Sequence, residues 1–224
     1  MTFASASRAV AQNARQLARH IELKGLPRTA TPADIKRAIT RINLKGVSDV
    51  AIDYYYFTPT ERALLTLSNP KYMEENLQAL KDFEICGHPI ESKVKVIEGL
   101  IPQRQRGVKG RKEAAQRGFL TGNGPHAGLP DRQRNVTLWG FPGKIDVEAI
   151  TPLLDDFGVA RNEAGEPNVV KIQPPQGAFT MVSRFLVTLS TETEAHRMVR
   201  QLHFTHWMPD VHGTRYILRA RIIY

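Results

Sequence analysis

Trp139, Arg184, Arg219 and Arg221 are spaced so that neighbouring strands would bring an indole and several guanidinium groups onto one surface. Indole and guanidinium planes stack on other flat groups, and a guanidinium fork grips phosphate. A second cationic group is denser. Residues 99–134 hold Arg104, Arg106, Lys109, Arg111, Lys112, Arg117, Arg132 and Arg134 against Glu113 and Asp131, a net +6. Residues 1–21 add Arg8, Arg15 and Arg19 and no acid, a net +3. These two stretches account for the whole +9 of the chain, so the remainder is close to neutral. Basicity concentrated in an arm and a connecting stretch suits capture of a polyanion, of which RNA is the commonest. A merely solvated tether is the alternative.

No comparable grouping points to catalysis. Asp156-Phe157-Gly158 spells a kinase motif without the Gly-rich loop or catalytic-loop signature that would accompany it, and a helix end explains it better. His203, His206 and His212 lie close together, with no helical i, i+4 pair and no cysteine beside them. A loop next to Trp207 is a better reading than a zinc site. Cys86 is the single cysteine, which excludes an internal disulfide, and with Gly87 it reads as a turn. Neither a GxxxxGKS/T nor a GxGxxG loop occurs, nor a nucleophile elbow. The expectation is a non-enzyme with no cofactor and no bound metal. No apolar run approaches the ~18 residues of a membrane span.

The elements that must carry these residues follow from periodicity. "LKGLP" at residues 23–27 returns as "LWGFP" at 138–142, and "RALLTLS" at 62–68 returns as "RFLVTLS" at 184–190. The same phrases in the same order predict one small unit present twice. In the first copy "IELKGL" alternates as a half-buried strand. "TPADIKRAITRIN" opens on a Thr cap with Pro32 at the first helical position and sets Ile35, Ile39 and Ile42 on one face. "VSDVAIDYYYF" and "RALLTLS" read as strands. "NPKYMEENLQALKDF" reads as a second helix with Met73, Leu77 and Leu80 in register, and "KVKVIEG" closes as a strand. Residues 99–134 break the rhythm with Gly, Pro and Arg and no periodic apolar face. From Asn135 the β-α-β-β-α-β order returns, with Pro152 marking a weak point in its first helix.

A first strand ending in Gly-apolar-Pro, a third ending in Thr-Leu-Ser and this element order resemble the RNA recognition motif (RRM). "FGVA" at residues 157–160 is similar to the turn after that family's first helix. The resemblance implies an α+β fold of two ferredoxin-like domains. Its boundaries would be a basic arm over residues 1–19, an RRM-like domain over 20–98, a basic linker over 99–133 and a second RRM-like domain over 134–224. The family stacks RNA bases on aromatics of the two central strands. Those positions hold Glu22, Arg62 and Leu64 in the first unit and Thr137, Arg184 and Leu186 in the second, none of them aromatic.

Alternation assigns the faces. Ile21, Leu23, Ala63, Leu65 and Leu67 point to the helices, while Glu22, Lys24, Arg62, Leu64 and Thr66 point away. Glu22 and Arg62 are expected as cross-strand neighbours that pair, which makes the first unit structural or protein-binding. In the second unit Val136, Leu138, Phe185, Val187 and Leu189 form the core side. Thr137, Trp139, Arg184, Leu186 and Thr188 face outward, joined by Arg219 and Arg221. Stacking on arginine and indole is one outcome, and cover of Trp139 by a loop or another protein is the other. The run Tyr54-Tyr55-Tyr56-Phe57, read as a strand, sends one pair of rings to the core and the other to RNA or an interface.

The expected function is a non-catalytic RNA-binding protein of mitochondrial gene expression, ribosome-associated or translation-related. The alternative is an assembly factor whose sheets bind polypeptide in a ribonucleoprotein complex. The RNA-binding set would be Trp139, Arg184, Leu186, Arg219 and Arg221, the linker residues Arg104, Arg106, Lys109, Arg111 and Lys112, and Lys24 and Arg62. Partners would be single-stranded or ribosomal RNA and proteins of such a complex. The acid-free, Ala-, Ser- and Arg-rich start has the composition of a mitochondrial presequence, placing the protein in the matrix, with cytoplasm or nucleus as the alternative.

Overall fold

The computed structural model describes residues 18–96, 122–130, 132–161, 165–174 and 179–224. The chain divides into two units at residue 130. The first comprises β1 (His20–Lys24), α1 (Pro32–Arg41), β2 (Val47–Tyr55), β3 (Thr58–Leu67), α2 (Met73–Ala79), the short hairpin β4 (Glu84–Ile85) and β5 (His88–Pro89), β6 (Glu91–Lys95) and β7 (Gly124–Pro125). The second comprises β8 (Asn135–Pro142), α3 (Val147–Leu154), β9 (Val169–Ile172), β10 (Val182–Thr188), α4 (Glu192–Leu202), α5 (Pro209–His212) and β11 (Arg219–Ile223). The sheets run β6-β1-β3-β2-β7 and β11-β8-β10-β9, antiparallel throughout. Leaving aside the added edge strand β7, in both sheets the closing strand (β6 or β11), the first, the third and the second lie side by side in that order.

Local sequence explains the helices. Thr31 and Asp34 form a reciprocal capping box at the start of α1, with Pro32 just inside. The expected second helix is shortened: Asn69 caps one 3-10 turn at Pro70–Tyr72, and α2 runs only from Met73 to Ala79. Asn76, not Leu77, takes the buried position between Met73 and Leu80. Both ends of its amide are used, the oxygen accepting from the Lys45 N–H at 2.9 Å and the nitrogen donating to the Lys45 carbonyl at 2.8 Å. A buried amide is tolerated only when satisfied in this way. The inward faces are as the alternation requires. Ile21, Leu23, Ala63, Leu65 and Leu67 are buried, and so are Val136, Leu138, Phe185, Val187 and Leu189.

The repeated glycine has a specific task. Gly25 and Gly140 both stand at positive φ, +86° and +106°. At Gly140 the β8–β10 register slips, pairing Trp139 with Arg184 but Phe141 with Ser183. The bulge lets Trp139 face outward and Phe141 face inward although they are two residues apart. Phe141 then meets Phe185 and Trp207 edge-on, at ring centroids of 5.4 and 5.1 Å. A side chain at Gly140 would collide with the Ile217 carbonyl.

Part of the stretch expected to be linker folds onto the first unit. β7 pairs with the edge of β2, matching Asp53 with Pro125 and Tyr54 with Gly124, and Ala127 and Leu129 behind it are buried. The aromatic run 54–57 is not one strand either. Tyr56 and Phe57 form a two-residue turn between β2 and β3, both at positive φ. Asparagine and glycine usually fill such a turn, because β-carbons are strained there. Segment 122–123 holds it: Phe57 N–H donates to the Gly122 carbonyl at 2.9 Å and Tyr56 N–H to Asn123 Oδ1 at 2.8 Å. Tyr54 and Phe57 are buried, and Tyr55 is exposed with its ring edge-on to Tyr56.

Gly140→Ala should therefore destabilise the second unit well beyond Gly213→Ala. Gly213 shares a positive φ of +56° but has open space where a β-carbon would stand. The control loses about 1–2 kcal/mol from backbone strain alone. Gly140→Ala should exceed it by at least about 1 kcal/mol. Urea unfolding of both variants measures the gap, and equal losses would refute the close-approach account.

Candidate nucleic-acid interface

β8 carries the centre of the candidate site. Its register sets Trp139 between Arg184 on β10 and Arg219 on β11, and Thr137 between Leu186 and Arg221. The Arg184 guanidinium lies 5.5 Å from the Trp139 ring centroid and that of Arg221 lies 5.8 Å from it. Two cations thus share one indole, each at cation–π distance. Burial holds the Arg184 pKa below its usual value, and the Arg221 charge adds to the effect. Arginine stays charged at neutral pH regardless. Among the described residues no carboxylate lies within ion-pair distance of Arg219 or Arg221.

Leu186 does not belong to this surface, contrary to expectation. It is 3% exposed, and Thr137 beside it is also buried. Alternation assigns a residue to a side of the sheet and not the degree of its burial there. Arg221 starts opposite Thr137 and reaches diagonally to Trp139, and the Thr137 hydroxyl donates to the Arg221 carbonyl at 3.3 Å. One row further along, Thr188 Oγ1 donates to Asn135 Oδ1 at 2.7 Å in a buried pair. The usable part of the outer face is therefore the Trp139–Arg184–Arg219–Arg221 end.

The corresponding face of the first unit is electrostatically closed. Glu22 is opposite Leu64, and Arg62 is opposite Lys24, so the expected Glu22–Arg62 pair is diagonal rather than direct. Its separation is 3.9 Å, while Lys95 and Lys24 approach Glu22 to 3.2 and 3.3 Å. Three cations share one carboxylate whose side chain is 13% exposed. Burial raises the Glu22 pKa, but hydrogen bonds and charge from Lys95 and Lys24 outweigh it and hold the pKa below the ordinary value. Lys95 was absent from the expected set, although the "KVKV" alternation places Lys93 and Lys95 on one face. At the other side of the sheet His126 Nε2 comes within 3.5 Å of Asp49 Oδ2. Arg104, Arg106, Lys109, Arg111 and Lys112 lie outside the described residues.

The three histidines near Trp207 have structural surroundings. His203 Nδ1 accepts the Ala220 N–H at 3.1 Å, His206 bridges to Ile217, and His212 meets the Tyr216 ring edge-on. Among the described residues no group of three or more His, Cys, Asp or Glu gathers as a metal site. No described helix is long and apolar enough to cross a membrane.

Two sheets of this strand order, each backed by two principal helices in β-α-β-β-α-β succession, define a tandem RRM-like fold of the α+β class. No protein-family model matches the chain, and no curated protein matches it in sequence. Among solved structures it is similar to an Sxl-lethal protein/RNA complex, at 12% identity over 92% of this chain and 99% of that one, with a TM-score of 0.30. It is also similar to the first two RRM domains of yeast poly(U) binding protein Pub1, at 11% identity over 92% and 99%, TM-score 0.31. A third similarity is to the three N-terminal RNA binding domains of the yeast splicing factor Prp24, at 11% identity over 91% and 63%, TM-score 0.28. The fold itself is read from strand order.

The shared carboxylate predicts an acid-dependent difference. A pKa depressed by folding stabilises the protein above the unfolded-state value, and that stabilisation is lost as pH falls through the folded-state value. Wild type should be more stable than Glu22→Gln at neutral pH, with the gap closing below about pH 4. Urea unfolding of both chains at neutral and acid pH measures it. A gap independent of pH would show that the charge of Glu22 contributes nothing.

Proposed function

We propose that this is a non-catalytic RNA-binding protein whose second unit docks single-stranded RNA on the Trp139–arginine face. The carrying observation is the indole flanked by Arg184 and Arg221, with Arg219 in register and no carboxylate near Arg219 or Arg221 among the described residues. A cluster of like charges raises the local positive potential and attracts a polyanion. Guanidinium and indole planes supply stacking where the usual aromatics are missing. The first unit, with its cations drawn onto Glu22, serves structure or protein contact. Basic segments at residues 1–21 and 99–134 add non-specific capture. The wider setting we propose is mitochondrial gene expression, in association with ribosomal or messenger RNA in the matrix.

Trp139→Ala and Arg184→Ala should each weaken binding of single-stranded RNA by about 1–3 kcal/mol. Arg62→Ala should change it by less than about twofold, because an exposed, already paired cation contributes little. Replacing Arg104, Arg106, Lys109, Arg111 and Lys112 by Gln should flatten the log–log salt dependence by about 3.5 if all five meet phosphates. Titrations across a salt series test all of these. Equal losses from both units would refute the asymmetry, and unchanged affinity in the Trp139 and Arg184 variants would refute the docking face.

The setting is tested separately. Residues 1–21 fused to a fluorescent reporter should carry it into mitochondria. Diffuse cytosolic signal would remove the compartment while leaving the RNA reading intact.

A further inference from the structure

Among the described residues nine large apolar side chains are exposed, and seven of them lie in two short runs of the second unit. Phe179, Met181 and Val182 lead into β10, and Phe204, Met208, Val211 and Ile217 lie between α4 and β11. Their exposures range from 39% to 88%. The two runs come together at one end of the sheet. Side chains added at Gly140 in β8 and at Gly143 just after it would meet the carbonyls of Ile217 and Met181 respectively, so each run packs its backbone on the same short stretch. Val182 is also the register partner of Pro142. Monomeric domains seldom gather exposed apolar groups in this way without a partner.

The second run is held in a costly conformation. Phe204 and Met208 stand at φ of +66° and +42°, left-handed backbone that bulky side chains avoid. Hydrogen bonds fix it: Phe204 N–H donates to the Leu218 carbonyl at 2.8 Å and Trp207 N–H to the Tyr216 carbonyl at 2.9 Å. The Trp207 ring is buried against Phe141. The anchor turns inward while Phe204 and Met208, on either side of it, turn outward. Strain maintained by a surrounding framework marks functional positions more often than accidental ones.

We infer that this end of the second unit is a docking surface for an acidic, apolar polypeptide segment. Aliphatic and thioether side chains dominate it, and these bury apolar side chains of a partner far better than they stack on bases. Charge selects the sign of that partner. Arg215 lies within the second run, Arg219 follows Ile217 by two residues and Lys144 adjoins Gly143, which packs against the Met181 carbonyl; Asp210 is the one acid within the two runs. The nearby Asp146 is already paired with Lys171 at 3.2 Å. Guanidinium forks at the rim fit carboxylates, and the apolar residues fit the side chains between them. The surface adjoins the Trp139 face and its apolar groups are distinct from it, so substitutions confined to those groups separate the two activities in a test.

A random peptide library displayed on phage would be panned against the full chain and against a variant with Phe179→Ser, Met181→Ser, Phe204→Ser and Met208→Ser. A synthetic peptide of the enriched consensus would then be titrated against both. Enrichment of sequences rich in Asp or Glu and large apolar residues is expected, with affinity falling at least about tenfold in the variant. Binding of single-stranded RNA by the variant should stay within about twofold of wild type. Should the variant misfold, a benzophenone photocrosslinker placed at Phe204 of the otherwise intact chain should capture the same peptide. Absence of enrichment, a basic consensus, or a peptide that neither loses affinity nor crosslinks would overturn the proposal. So would loss of RNA affinity without loss of peptide binding, which would give this surface to RNA.

Discussion

Much of the second unit depends on one close approach of backbone to backbone, at Gly140. Without the bulge there, strict alternation would put Phe141 on the same side as Trp139. The core would lose the ring that joins Phe185 to Trp207. The connection between α4 and β11 would lose its footing, since the Ile217 carbonyl occupies the space a side chain would fill. The first unit repeats the device at Gly25, where a side chain would press on the Pro89 carbonyl at 3.1 Å. The repeated Gly-apolar-Pro phrase thus records a backbone requirement, which explains why it persists where the surface residues diverge.

The same backbone supports two opposite electrostatic surfaces. In the first unit one partly buried carboxylate draws three cations inward, and each is less available to an outside anion. In the second, threonine stands where the family pattern places the first-strand aromatic, and the arginines converge on an indole. An indole attracts cations through its quadrupole without cancelling their charge. The first face is closed by a carboxylate that its cations approach, whereas Arg221 in the second lies over a ring with no carboxylate within ion-pair distance among the described residues.

Sequence reasoning recovers the inward faces because one physical demand, burial against helices, acts on every second residue. It recovers Trp139, Arg184, Arg219 and Arg221 as one surface for the same reason. It fails at Leu186, because alternation assigns a side of the sheet and not the degree of burial there. It fails at Tyr56 and Phe57, whose residue types argue for strand while the backbone turns. Propensity is overridden there by hydrogen bonds that Tyr56 and Phe57 donate to residues 123 and 122, far along the chain. The exposed apolar runs at 179–182 and 204–217 were equally invisible, since composition counts hydrophobic residues without saying which stay wet.

The turn at Tyr56 and Phe57 also bears on the order in which the molecule assembles. A hairpin with asparagine and glycine at its tip closes by itself, early and locally. With two aromatic residues at left-handed φ, the tip opposes closure by about 1–2 kcal/mol per residue. The compensation arrives only with residues 122–129, so the first sheet is completed by a contact distant in sequence. On a ribosome, where the chain emerges from its N-terminus, the first unit cannot finish folding until synthesis has passed residue 130. Its last strand in space is supplied by the stretch that leads into the second unit, and the boundary between the two is drawn in time as well as in sequence.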